Sequence, residues 1–248
     1  MSLVFCPTMP QSGTWFVLRL FERLGYKIEH TGEIMSRIVN MTVDISIPTI
    51  LHTHVFAFYY NPAPYKESWP SYGGDAIQEY IVRKNKMSIG GIKLLASMFK
   101  TVIPIRDPLA SLLTRERRAP NLRHFYIVDG YVEVVRELSN HPNVKFFPLD
   151  LNLTEEERYE LLVDVLTHCG VDVSKHSEEI NDTAIHWRKE NVTPNNSFRE
   201  HYDAGDIDKL KELLGHKWAE VAHLKNMGGI LVPFLSKLGY NEKRTLIW

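Results

Sequence analysis

Three short stretches of this sequence carry side chains whose types and spacing suit the handling of a phosphorylated anion and of a proton beside it. The first is Pro7-Thr8-Met9-Pro10-Gln11-Ser12-Gly13-Thr14-Trp15, between the apolar run Leu3 to Cys6 and a segment with apolar residues at Phe16, Leu20 and Leu24. A glycine at a strand-to-helix turn lets backbone approach an anion, and Ser12 and Thr14 put hydroxyls beside the unpaired N–H groups of the helix start. Taken alone, the same residues also describe an ordinary Ser/Thr-capped helix. The stretch is not a Walker A loop, because no G-x-x-x-x-G-K-[ST] occurs and no lysine follows Gly13.

The second stretch is Arg106-Asp107-Pro108, directly after the run Lys100 to Ile105. Asp107 reads as a helix N-cap and Pro108 as the first helical residue, which puts Arg106 at the carboxyl end of a strand, where open α/β sheets hold their ligands. An arginine there offers a two-pronged fork to a second phosphate, or else pairs at the surface with Asp107 or Glu116. The third stretch is Leu51-His52-Thr53-His54. In an extended strand His52 and His54 share a face, and a histidine near neutral pKa suits a general base. Two histidines without a third ligand are weak grounds for a metal site, and none is expected.

These residues need a scaffold that brings three strand ends to one edge. Short apolar runs at Leu3 to Cys6, Ile47 to His52, Val102 to Ile105 and Val144 to Pro148 alternate with helical periodicity. The helical segments are Thr14 to Leu24, Ile34 to Asn40, Ala76 to Lys84, Leu109 to Arg117, Gly130 to Ser139 and Thr154 to His168. Beyond about Ser174 the chain reads as mostly helical, with a polar interruption at Asn191 to Ser197. The pattern predicts an α/β domain with a central, mainly parallel sheet flanked by helices and a helical last part. No linker or compositional shift divides residues 1–248, so one domain is expected. Asn61 to Gly74, rich in proline, glycine and aromatics, reads as a loop: a substrate lid or a variable surface excursion.

Charge narrows the function classes. With 29 Lys+Arg against 30 Asp+Glu, no global field draws the protein to nucleic acid or an anionic membrane, so an anion site must be local. Cys6 and Cys169 are too few for a disulfide framework, and a reducing, cytoplasmic location is expected from their number and the lack of a leader pattern or membrane-length apolar run. The Asn-x-Ser/Thr triplets at Asn40, Asn152, Asn181, Asn191 and Asn195 then read as chance.

Together the three stretches resemble the sulfotransferase family that uses 3′-phosphoadenosine 5′-phosphosulfate (PAPS). Pro10-Gln11-Ser12-Gly13-Thr14-Trp15 is similar to the family's P-K-[SR]-G-T-T-[WS] loop, which holds the 5′-phosphosulfate. Arg106-Asp107-Pro108 with Thr114 is similar to its R-[ND]-P and the serine eight residues after the arginine, which bind the 3′-phosphate. His52-Thr53-His54 resembles K-T-H, with His54 in the position of the catalytic base. The likeness covers roughly the first half of the chain. Later, Phe147-Pro148-Leu149-Asp150-Leu151 is similar to the family's strand and Tyr-Glu-Asp-Leu, and Asn195 to Asp203 and Leu238-Gly239-Tyr240 resemble the tail of the carbohydrate branch. Arg188-Lys189 is similar to R-K-G without its glycine.

The resemblance implies a P-loop-like fold and in-line, metal-free transfer of a sulfuryl group from PAPS to the hydroxyl or amine of a small-molecule or carbohydrate acceptor. His54 would act as base; Gln11, Ser12, Gly13, Thr14 and Trp15 would hold the phosphosulfate, and Arg106 and Thr114 the 3′-phosphate. Two departures stand out. Gln11 replaces the loop lysine, an exchange of a charged donor for a neutral one that costs roughly 10²–10³ in rate unless another cation, such as His52, substitutes. One threonine is missing, so Trp15 stands where the second would be and either packs beneath the loop or lines the acceptor pocket. The alternatives are a weak or inactive nucleotide-binding member and a P-loop kinase, which would need a loop lysine and a carboxylate-held Mg²⁺.

Overall fold

In a computed structural model of the chain, which describes residues 3–9, 12–30, 46–55, 86–87, 89–118, 125–191, 200–202, 204–215 and 218–248, the apolar runs become the strands of one parallel sheet. The strands are β1 (Leu3–Thr8), β2 (Lys27–His30), β3 (Thr49–Val55), β4 (Lys86–Met87), β5 (Lys100–Ile105) and β6 (Val144–Pro148). Their order is β2-β3-β1-β5-β6, with β4 pairing the last two residues of β3 past the end of β2. Every pairing is parallel. The helices are α1 (Thr14–Arg23), α2 (Ile89–Met98), α3 (Pro108–Arg118), α4 (Phe125–Leu138), α5 (Glu155–His168), α6 (Ser177–Asn191), α7 (Ile207–Leu214), α8 (Trp218–Asn226) and α9 (Gly228–Lys237).

Side-chain alternation sorts the core into two layers. Val4, Cys6, Ile50, Val102 and Phe147 pack with Phe16 and Leu20 of α1, with Leu24 just after it, and with α5 and α6. Phe5, Leu51, Ile103, Ile105 and Phe146 pack on the opposite face with α2, α3, α4 and the last helices. Strands buried on both faces can be apolar at successive positions, which is why these runs were legible without alternation. The predicted helix starts hold as well: the α1 stripe is buried, and Asp107 caps α3, its Oδ1 accepting the Leu109 N–H at 2.8 Å. Thr154 and Glu157 close a capping box on α5.

The chain differs from the sequence expectation at three elements. β2, β4 and α2 have no counterpart among the expected elements, and α2 forms although it contains Gly90 and Gly91. α2 holds because Ile92, Leu95 and Ala96 are buried, a case of tertiary packing overriding propensity. The expected helices at Ile34 to Asn40 and Ala76 to Lys84, the Asn61 to Gly74 loop and most of the Asn191 to Ser197 interruption lie outside the described residues.

β1 and β5 are neighbours, yet the helix after β1 covers one face and the helix after β5 the other. That is the switch point at which open parallel sheets form a crevice beyond their carboxyl ends. The ladder between the two strands is registered only at Val4↔Lys100 and Phe5↔Thr101. Further along, Pro7 and Pro104 have no N–H to give. The two chains leave the sheet side by side, one into the glycine loop and the other into Arg106.

Candidate functional site

The loop after β1 turns at Gly13, whose φ of 101° is open to glycine and strained for other residues. Gly13 is the N-cap of α1 and no side chain caps the helix. Ser12 is buried and its hydroxyl donates to the Met9 carbonyl at 2.7 Å, while the Ser12 N–H bonds to the same oxygen at 3.1 Å. Thr14 Oγ1 donates to Thr8 Oγ1 at 2.9 Å. Both hydroxyls thus brace the turn instead of capping the helix. The N–H groups of Gly13, Thr14 and Trp15 make no hydrogen bond to another described residue, and they sit at the positive end of a helix of 10 residues. Trp15 is 71% exposed, so it does not pack beneath the loop. Gln11 lies outside the described residues.

Thr8, at the end of β1, joins the two histidines of β3. Its Oγ1 lies 2.9 Å from His52 Nε2 and 3.2 Å from His54 Nδ1, in addition to accepting from Thr14. The register Thr8↔His54 and Cys6↔His52 puts the strand ends level and all three side chains on the α1 face. The two imidazoles stand edge-to-face with centroids 4.8 Å apart, as period-two spacing requires. His52 is buried and His54 half-buried. A threonine hydroxyl accepts two hydrogens and donates one. With Thr14 supplying one hydrogen, one histidine can donate to Thr8 while the other accepts from it. If His54 donates through Nδ1, its Nε2 is unprotonated and can take a proton.

Arg106 is half-buried at the end of β5, as expected. Thr114, two turns on, is also half-buried and its hydroxyl donates to the Ala110 carbonyl at 2.8 Å. Beside Arg106 lies a polar knot built from residues far apart in the chain. The Asp107 N–H points into the Asp150 carboxylate at 3.2 and 3.3 Å, and Asp107 Oδ1 also accepts Trp248 Nε1–H at 2.8 Å. Tyr240 O–H donates to Asp150 Oδ1 at 2.5 Å, and the Arg244 guanidinium sits over the Tyr202 ring with Nε 3.8 Å from Asp150 Oδ2. Burial, then the neighbouring Asp150, pushes the Asp107 carboxyl up to about 7. The buried Tyr131 hydroxyl, 2.9 Å from Ser111 Oγ, is raised by burial.

Among the described residues no group of three or more His, Cys, Asp or Glu is placed to hold a metal ion, and no helix is long and apolar enough to cross a membrane. No protein-family profile and no curated protein matches the chain. It is similar to the solved structure of a mouse sulfotransferase, SULT7A1, complexed with PAP, at 15% identity over 79% of this chain and 68% of that chain, with a TM-score of 0.46. Chemistry at this sheet edge follows from its own residues.

Proposed function

We propose that the protein binds a 3′,5′-bisphosphorylated nucleotide across the β1–β5 switch point and transfers a sulfuryl group from PAPS to an acceptor hydroxyl or amine. The observation that carries the reading is the meeting, at one sheet edge, of an uncapped helix start, a histidine pair on a shared threonine, and an arginine leaving the neighbouring strand. Amides of residues 13 to 15 would hold the 5′-phosphosulfate, with Gln11 donating toward the bridging oxygen. Arg106 and Thr114 would take the 3′-phosphate, the feature that separates this donor from ATP.

In the proposed step the acceptor oxygen or nitrogen attacks sulfur as His54 Nε2 takes its proton. The bond from sulfur to the bridging oxygen breaks, and its electron pair leaves on the 5′-phosphate. Thr8 would hold the His54 ring through Nδ1. A small-molecule or carbohydrate acceptor and a cytoplasmic location belong to the same reading. A second reading, a nucleotide-binding protein with little or no catalysis, is favoured by Gln11 standing where the family has a lysine.

Calorimetric titration with 3′-phosphoadenosine 5′-phosphate, and with ATP plus Mg²⁺ in parallel, tests the reading on wild type and Arg106→Ala. Binding of the bisphosphate that is lost in Arg106→Ala supports it. No bisphosphate binding sinks it, and a Mg²⁺-dependent ATP signal promotes a kinase in its place.

A further inference from the structure

Three residues of the segment after α9, spaced by four, converge on the aspartates that follow β5 and β6. Tyr240 O–H donates to the Asp150 carboxylate, Arg244 Nη1 donates to the Asp150 carbonyl at 3.3 Å, and Trp248 Nε1–H donates to Asp107. Tyr240 is fully buried and Arg244 is 6% exposed. Internal bonds fix the shape of this strap: Asn241 N–H to the Arg244 carbonyl at 2.8 Å, Lys243 N–H to the Gly239 carbonyl at 3.0 Å and Leu246 N–H to Asn241 Oδ1 at 3.2 Å. It is tied to the body through Asn152 N–H on the Lys243 carbonyl at 3.3 Å and the Lys243–Glu157 ion pair.

Asp107 is the single residue between Arg106 and α3. Its backbone N–H is held by Asp150, and its side chain is shared between the first turn of α3 and Trp248. The registered β1–β5 ladder has ended by this point, so the sheet does not fix the chain here from that side. The strap does.

We propose that Tyr240, Arg244 and Trp248 are positioning residues for the anion arm at Arg106, and that anion binding there is coupled to the docking of this strap on Asp107 and Asp150. The identity of the anion rests on the proposed nucleotide reading; the positioning does not. The groups that act on Asp107 are Asp150 after β6 and Arg244, Tyr240 and Trp248 from the strap; Tyr131 of α4, bonded to Ser111 of α3, lies beside Arg106 and Asp150. A phosphate on Arg106 brings further negative charge to a place that already holds two carboxylates. A proton on Asp107 relieves that repulsion, so binding takes up a proton. Oδ2 of Asp107, with no hydrogen-bond partner among the described residues, is the oxygen left to carry it.

Trp248→Phe removes the N–H donor and keeps a ring. Hydrogen exchange of residues 107–114, read by mass spectrometry on the full chain without ligand, is expected to quicken in this variant while β1 and α1 are unchanged. Affinity for 3′-phosphoadenosine 5′-phosphate is expected to fall about tenfold. Titrations near pH 8 in two buffers of different ionisation enthalpy are expected to show proton uptake in wild type and none in Asp107→Asn. Unchanged exchange at 107–114, or exchange quickened uniformly along the chain, overturns the positioning role. Local quickening with unchanged affinity overturns the coupling. If wild type binds no bisphosphate while 107–114 still responds to Trp248→Phe, positioning stands and the nucleotide reading is what fails.

Discussion

A β-carbon on Gly13 would stand 2.2 Å from Cδ1 of Leu149, the residue that follows β6 and whose N–H bonds to the Ile105 carbonyl at 3.0 Å. The turn after β1 is therefore seated against the end of β6, which is itself tied to the end of β5. Gly13 is needed for its left-handed φ, and a side chain there would also have to displace the Leu149 methyl.

Gly13→Ala combines the left-handed penalty with an overpacked contact, and a loss of about 2–4 kcal/mol is expected in urea denaturation. Leu149→Ala opens the space that the new methyl needs. In a double-mutant cycle the two substitutions should therefore cost less together than the sum of each alone. Additive costs would show that Leu149 does not restrict the turn.

Thr8→Val keeps the shape of the hub and removes every bond of its hydroxyl. His52 and His54 then lose their common partner, and on the proposed reading turnover is expected to fall about 10- to 100-fold with bisphosphate affinity nearly unchanged. His54→Gln should lower turnover further, by about 10²–10⁴, again without loss of nucleotide. A variant that loses binding and turnover together would place Thr8 in the donor site instead of behind the base.

The sheet centre and the strand-end residues were legible because their signals are local. β1, β3, β5 and β6 are runs buried on both faces, α1 has a clear apolar stripe, and the facing of His52 and His54 needs only the two-residue period of a strand. β2 escaped notice because Lys27-Ile28-Glu29-His30 is short, polar and at the sheet edge. The Asp107–Asp150 knot could not be read at all. Asp107 and Trp248 are 141 residues apart, Asp150 and Tyr240 are 90 apart, and no spacing rule joins them. Asp107 carried only its local signal, that of an N-cap, which is correct and is half of what it does.

Gln11→Lys tests whether the missing loop cation limits the chemistry. On the proposed reading a charged donor toward the leaving 5′-phosphate acts mainly in the transition state, so the substitution is expected to raise sulfuryl turnover by roughly 10²-fold and to change bisphosphate affinity much less. Turnover that does not rise would mean that another cation already fills that role. Turnover absent from both forms would favour the binding-only reading.

Asp107→Asn tests the buried carboxyl through the pH dependence of stability. Burial and Asp150 hold this group at about 7 against an ordinary value of 3.8, so between those limits the folded state keeps a proton that the unfolded chain gives up. Stability from this group is full below about pH 4 and is lost progressively as pH rises to about 7. Asparagine is neutral at every pH and can still cap α3. The variant should therefore gain on wild type as pH rises from 5 to 8, by about 2–3 kcal/mol, the part of the shift that lies inside that interval. Other titrating groups are common to both proteins and cancel in the difference. Urea unfolding of the two at pH 5 and pH 8 measures it, and a stability difference that stays constant over that interval would mean that Asp107 is already ionised in the fold at pH 5.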